Sequence, residues 1–207
     1  MYRTGIPNVQ TLEIRWFFEE DRPGLKAIFQ GLQPEQYAVE SRTDTYLLLP
    51  GREDLGIKLR QGRLEIKFRS KGSETGAISG IHGNIECWEK LGFELGQERM
   101  FPHLPEHSEA SWISVAKKRW VTMAGVTDGE IHYEPPGSPR AESVQVEYTQ
   151  LGLEGRQWFT LGFEWPRRQP LSLPEPLLRK WVMPEGFTEE ISMGYPAFLN
   201  GILNGPY

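Results

Sequence analysis

The sequence predicts a mainly β fold of the α+β kind, an antiparallel eight-stranded barrel or tunnel with a few flanking helices. Three observations point there. Apolar and charged residues alternate with a period of two in segment after segment, the mark of strands with one face on a core. Glycines (22) and prolines (16) punctuate the chain at the intervals an all-β domain needs for its turns. Aromatic residues make up 12% of the chain, seven of them tryptophan, and pleated surfaces favour such side chains. Residues 1–207 read as a single domain: an all-β chain of this length buries about 70% of its unfolded surface and needs no covalent staple.

The elements follow in order. Leu12, Ile14 and Trp16 alternate with Glu13 and Arg15, a first strand. Leu25, Ile28, Phe29 and Leu32 have helical spacing, so residues 24–32 read as a short helix with one apolar face, ended by Pro34. Residues 37–49 read as one long or broken strand closed by Pro50-Gly51. Leu55, Ile57 and Leu59 alternate with Lys58 and Arg60; Gln61-Gly62 turns the chain; Leu64, Ile66 and Phe68 alternate with Glu65, Lys67 and Arg69. This is a hairpin with one apolar and one mostly basic face. Residues 70–83 are Gly/Ser-rich and read as a loop, 84–95 are ambiguous between strand and helix, and 101–110 read as irregular. Residues 111–123 are strand-like and carry Lys117, Lys118 and Arg119. Residues 134–140 hold three prolines and read as a loop. Val144, Val146 and Tyr148, then Phe159, Leu161 and Phe163, mark two more strands joined by a turn at residues 153–155. Beyond Pro174 the chain reads as short helices broken by Pro176 and Pro184, with a last helix or extended cap over 188–199. About seven to nine strands result, which suits a sandwich or a barrel.

The charged alternation has two readings. In the ordinary one the apolar face is the core, and Lys58, Arg60, Glu65, Lys67 and Arg69 face water, as on many antiparallel sheets; alternation alone favours it. In the other the barrel is inverted: the apolar face packs outward under helices and the charged face lines a tunnel. Isolated buried charges cost several kcal/mol each, so a tunnel needs internal partners or a charged ligand. A triphosphate satisfies several cations at once, Arg by bidentate hydrogen bonds and Lys as a point charge.

Composition narrows the classes. The lone Cys87 excludes an intramolecular disulfide. No apolar run of about 18 residues exists, and residues 1–10 lack a signal-peptide core, so a cytoplasmic location is expected. The net charge of -5 argues against general nucleic-acid binding. Trp and Phe on the outer surface are candidates for a homodimer contact.

Several runs together resemble the CYTH, or triphosphate tunnel metalloenzyme, superfamily. They are Arg42-Thr43-Asp44-Thr45-Tyr46, then Leu55-Gly56-Ile57-Lys58-Leu59-Arg60-Gln61-Gly62 with Leu64-Glu65-Ile66-Lys67. Val146-Glu147-Tyr148 and the segment from Trp158 to Glu164 look like its acidic strands, and Ile191-Ser192-Met193-Gly194-Tyr195-Pro196-Ala197-Phe198-Leu199 is similar to its closing segment. The resemblance implies a tunnel in which Arg15, Lys58, Arg60, Lys67, Arg69 and Arg119 clamp phosphate oxygens. Glu13, Glu147 and Glu164 are then the candidate catalytic carboxylates and the candidate ligands for Mg²⁺ or Mn²⁺. The implied partner is a small polyphosphate or phosphorylated ligand, and the implied reaction is hydrolysis or transfer at a triphosphate. The first strand departs from the family's Glu-x-Glu-x-Lys hallmark. With Glu13 as its first carboxylate, Arg15 replaces the second and Phe17 replaces the lysine. A cation in place of a carboxylate removes an oxygen ligand and repels a hard divalent ion.

Two other functions compete. One is a lipocalin-type barrel with an apolar interior holding a tetrapyrrole or other apolar ligand against Trp16, Trp112 and Trp158. The other is a structural or interaction barrel with a filled core. The sign of the interior separates all three. Smaller motifs add little. His103-Leu104-Pro105-Glu106-His107 matches a zinc-peptidase pattern, but Pro105 spoils the helix that pattern needs. Cys87 reads as a buried thiol, and His82 and His132 as isolated. Gly76, Gly80 and Gly83 lack the Lys-Ser/Thr ending of a phosphate loop. Within the basic cluster, alternation puts Lys117 and Arg119 on one side and Lys118 on the other.

Overall fold

The computed structural model describes residues 9–70, 74–78, 81–94, 111–138, 143–168, 173–182 and 186–204. They form ten strands: β1 (Val9–Phe18), β2 (Tyr37–Leu48), β3 (Leu55–Arg60), β4 (Arg63–Arg69), β5 (Glu74–Ile78), β6 (Ile81–Glu94), β7 (Ser111–Thr127), β8 (Glu130–Glu134), β9 (Val144–Leu153) and β10 (Arg156–Pro166). Eight of them run β1-β10-β9-β7-β2-β3-β4-β6, and β6 pairs back onto β1, so the sheet closes into an antiparallel barrel. Closure removes the open edges that would invite aggregation. The β1–β6 seam sets Glu13 opposite Glu86 and Leu12 opposite Cys87. β5 and β8 are additions outside the ring, paired to the overhanging ends of β6 and β7.

The barrel is inverted. On β1 the odd residues Glu13 and Arg15 point inward, while Leu12, Ile14 and Trp16 join the largest apolar cluster on the outside. That cluster coats β1, β10, β9 and β7 and is covered by two helices, α1 (Pro23–Gln30) and α2 (Glu175–Trp181), and by Phe187. Phe29 of α1 meets Trp181 of α2 at 4.7 Å, and Trp16 meets Phe187 at 5.3 Å, both edge to face. Burying these rings supplies the hydrophobic drive that the polar interior does not. Ile85 and Cys87 at one end of β6 share this cover, whereas among the described residues the outer face farther along β4 and β6 is more open, with Phe68 and Phe93 each 42% exposed.

The interior itself changes character along its length. At one end a third helix, α3 (Tyr195–Asn204), plugs the barrel. Its Phe198 and Leu199 pack among Phe17, Tyr46, Leu48, Val115, Leu151, Leu153 and Trp158, all inward-facing strand residues. Phe198 stacks on Phe17 with ring centres 3.7 Å apart.

Several local expectations hold with adjustments. The hairpin at Gln61-Gly62 is present, with both turn residues at positive φ (49° and 77°), the geometry that matches strand twist. The same turn joins β9 to β10 at Glu154-Gly155 and β7 to β8 at Asp128-Gly129. β8 is missed by the sequence reading although Asp-Gly is a strong hairpin signal. Residues 84–94 resolve as strand. Part of 70–83, expected to be loop, is the hairpin of β5 on β6, held by a backbone ladder that its composition does not advertise. The first helix ends at Gly31, whose N–H donates to the carbonyls of Ala27 and Ile28, three residues before Pro34. Pro176 does not break α2; it sits in the first turn, where no N–H is needed. Residues 101–110, with the His103–His107 motif, and Pro184 lie outside the described residues. Among the described residues no helix is long and apolar enough to cross a membrane.

Candidate functional site

Above the α3 plug the barrel encloses a cavity of about 330 Å³. Among the described residues its lining has eight cationic side chains, Arg15, Arg42, Lys58, Arg60, Lys67, Lys90, Lys117 and Arg119, against five carboxylates, Glu13, Glu40, Glu65, Glu147 and Glu164. Asp44, fully buried behind them, adds a sixth. Every strand of the ring contributes, because each sends alternate residues inward and those residues are charged.

The charges form a circuit around the wall. Lys67 donates to Glu13 at 3.1 Å, and Glu13 accepts from Arg15 Nε at 2.7 Å. Arg15 Nη1 donates to Glu147 at 3.1 Å, and Glu147 also accepts from Arg119. Arg119 reaches Glu40 at 2.7 Å, Glu40 pairs with Arg42 at 3.2 Å, and Arg42 with Asp44 at 3.1 Å. Asp44 faces Lys117 at 3.2 Å and Lys58 at 3.9 Å, and Lys58 pairs with Glu65 at 3.1 Å. Glu65 also holds Arg60 and, at 3.9 Å, Lys90. The circuit therefore passes from β4 through β1, β9, β7, β2 and β3 and back to β4. Its floor is aromatic: the Lys117 ammonium lies 3.8 Å from the centre of the Tyr195 ring and the Arg15 guanidinium 5.0 Å from it. The buried Tyr195 hydroxyl has no hydrogen-bond partner among the described residues.

Eight of the nine sequence-predicted site residues meet here: Glu13, Arg15, Lys58, Arg60, Lys67, Arg119, Glu147 and Glu164. Arg69 shares their inward face but does not line the cavity; Glu86 on β6 draws it aside at 2.7 Å. Lys117 and Arg119 point inward together, while Lys118 points out over Trp120. Sequence reasoning misses Glu40, Glu65, Lys90 and Gln145 as lining residues. The signal for two of them is present: Glu40 keeps strict alternation with Arg42, Asp44 and Tyr46 on β2, and Glu65 shares its parity with Lys67. Trp16, a candidate ligand contact in an apolar interior, faces outward instead. Trp158 faces inward but belongs to the plug. Cys87 is buried in the outer core, and the His82 and His132 side chains are exposed.

Burial and charge set the protonation states. Burial alone would raise Glu13, but Lys67 and Arg15 outweigh it and hold the carboxyl at about 2. Glu147 is likewise driven well down, against burial, by Arg119 and Arg15. The lysines opposite move the other way. Burial lowers Lys58 to about 8 although Glu65 and Asp44 oppose the shift, and Lys117 is pushed well below the ordinary lysine value by its burial. At the back of the cavity, burial of these two ammonium groups thus outweighs the carboxylates that face them.

The carboxylates do not fit a divalent metal. Both oxygens of Glu13 are taken, by Arg15 and Lys67. Both oxygens of Glu147 are taken as well, one by Arg15 and Thr149 and the other by Arg119. Glu164 is the least engaged, with Lys67 at 3.8 Å. Among the described residues no group of three metal-ligating side chains converges.

Fold and site together define a closed β-barrel with an ion-paired, net cationic chamber. No family model and no curated protein matches the sequence. Among solved structures, the PH1012 protein of Pyrococcus horikoshii is similar at 17% identity, over 86% of this chain and 94% of that one, with a TM-score of 0.49. A conserved hypothetical protein of Pyrococcus furiosus aligns at 16% identity over 89% and 98%, with a TM-score of 0.44. The Pct1 RNA triphosphatase of S. pombe, solved with the Spt5 CTD, aligns at 7% identity over 79% and 73%, with a TM-score of 0.36.

Proposed function

We propose that the chain binds a small phosphorylated polyanion, inorganic triphosphate or the polyphosphate group of a nucleotide, inside the barrel. One observation carries this reading: a chain of net charge -5 encloses a cavity whose wall has eight cations against five carboxylates. A surplus of buried positive charge is expensive unless a ligand offsets it. The volume suits one small molecule. Lys58 and Lys117, lowered by burial, gain most from an anion, and the Tyr195 hydroxyl, unpartnered among the described residues, offers a further donor. An apolar ligand is disfavoured, because the aliphatic and aromatic faces of β1, β9 and β10 point away from the cavity.

The reading is of a binder first. A general base needs a carboxylate free to take a proton near the working pH, and Glu13 and Glu147 are tied to guanidinium groups and held far too acidic. Calorimetric titration with tripolyphosphate, accompanied by a phosphate-release assay, tests both halves. Saturable binding supports the proposal, and release of phosphate at a steady rate would extend it to hydrolysis. Lys117→Met removes one charged donor while keeping the side chain's bulk. It is expected to weaken binding by about 10- to 100-fold, the equivalent of one charge-assisted hydrogen bond. Absence of binding in the wild-type protein sinks the proposal.

A further inference from the structure

We infer that Arg15 is a built-in cation that takes the place of a divalent metal, so that the chamber holds its polyanion without one; the inference rests on the polyanion reading above. Arg15 lies between two carboxylates on different strands, donating from Nε to Glu13 at 2.7 Å and from Nη1 to Glu147 at 3.1 Å. It also contacts the Thr160 hydroxyl at 3.4 Å. One guanidinium thus bridges two acidic side chains as a metal ion would, but with fixed charge and planar hydrogen bonds.

The surrounding chain is shaped for that group. Gly162 on β10 stands opposite Arg15 in the β1–β10 register. A Cβ built at Gly162 would lie 2.6 Å from both Cζ and Nη2 of Arg15, closer than carbon atoms can pack. The glycine therefore leaves the hollow the guanidinium fills. From below, the Tyr195 ring faces the same guanidinium at 5.0 Å. Arg15 is only 5% exposed, so it is a part of the wall and not a surface charge folded inward. With Lys67 and Arg119 taking the outer oxygens of Glu13 and Glu147, a metal ion could enter only by displacing a paired cation and meeting the repulsion of the rest.

Two measurements test this. The first is calorimetric titration of the whole chain with tripolyphosphate in EDTA and again with excess Mg²⁺. The second is a Mn²⁺ titration of the protein without polyphosphate, read by the electron paramagnetic resonance signal of the free aqua ion. The inference expects saturable binding in EDTA that Mg²⁺ leaves unchanged or weakens, since the ion competes for free polyphosphate. It also expects no loss of the Mn²⁺ signal with the wild-type protein and a loss with Arg15→Glu, which frees the Glu13–Glu147 pair and adds a carboxylate between them. Binding that strengthens about tenfold or more with Mg²⁺, or Mn²⁺ taken up by the wild-type chain, overturns the inference and leaves the polyanion reading standing. Failure of tripolyphosphate to bind under either condition overturns the polyanion reading, and the wild-type Mn²⁺ titration then decides the metal question alone. That titration also suffices where Arg15→Glu does not fold.

Discussion

The two ends of the barrel interior are built on the same strands and the same parity, yet one is a charged chamber and the other an aromatic plug. On β1, Glu13 and Arg15 give way to Phe17; on β2, Arg42 and Asp44 give way to Tyr46 and Leu48; on β9, Glu147 and Thr149 give way to Leu151 and Leu153. Backbone and register are continuous across the change. What differs is how each half meets the loss of water. The plug buries rings against α3 and gains from every contact. The chamber pairs each carboxylate with cations and keeps a positive remainder. Stability is therefore expected to reside in the plug and the outer core, and binding in the chamber.

The sharpest way to break this division is Phe198→Ala. It empties the space between Phe17 and Trp158 and is expected to remove about 3–5 kcal/mol of stability, read by urea denaturation, while tripolyphosphate affinity changes little. A large loss of affinity would mean the plug shapes the chamber. Next in size is Gly162→Ala. Its methyl group must push against an Arg15 side chain held by two carboxylates, an overpacking expected to cost about 1–3 kcal/mol. Here both stability and polyanion affinity are expected to fall, because the guanidinium belongs to both.

A pH series sharpens the chamber's side. Lys58 loses its proton at about 8 in the folded chain, so its contribution to polyanion affinity, measured against a reference titration of the polyphosphate itself, is expected to be flat below pH 7. It then falls as pH rises past about 8, by up to about tenfold per unit. The unliganded protein should respond oppositely. Between about 8 and the ordinary lysine value of 10.5 the unfolded chain holds a proton that folded Lys58 has lost, so this group makes stability rise with pH. Calorimetry and chemical denaturation at pH 7 and pH 9 check the two signs. The smallest effect belongs to Lys118→Ala. Its side chain is exposed on the opposite face from Lys117, and it is expected to change stability by about 0.5 kcal/mol or less and affinity not measurably. A large change in affinity would put the wrong face of β7 inside.

The strands, two of the hairpin turns and α1 were legible in the sequence because each rests on local chemistry: alternation, a turn pair at positive φ, apolar residues one helical turn apart. The sign of the interior was not legible from alternation, which looks identical whichever face is inside. Only what covers the outer face decides it, and those residues, Phe29, Trp181 and Phe187, lie outside the strands that carry Ile14 and Phe163. The resemblance supplied that choice and carried most of the cationic wall with it. It could not supply the pairing of Arg69 with Glu86, which depends on the β4–β6 register. The division of chamber from plug was hidden for a similar reason. Phe17 and Trp158 look like ordinary strand residues until α3 is placed against them.

The seam of the barrel has a consequence for how the protein comes into being. β1 lies between β6 and β10, with Thr11 opposite both Trp88 and Pro166. During synthesis the first strand emerges long before the strand that will flank its other side, and before Phe187, which shields Trp16. The ring can close only after β10 has formed, through its contact with the far-separated β1, the kind of non-local assembly that folds in milliseconds to seconds. Until then a strand carrying Leu12, Ile14 and Trp16 lacks the shelter of β10 and Phe187, and those side chains are open to the wrong partners.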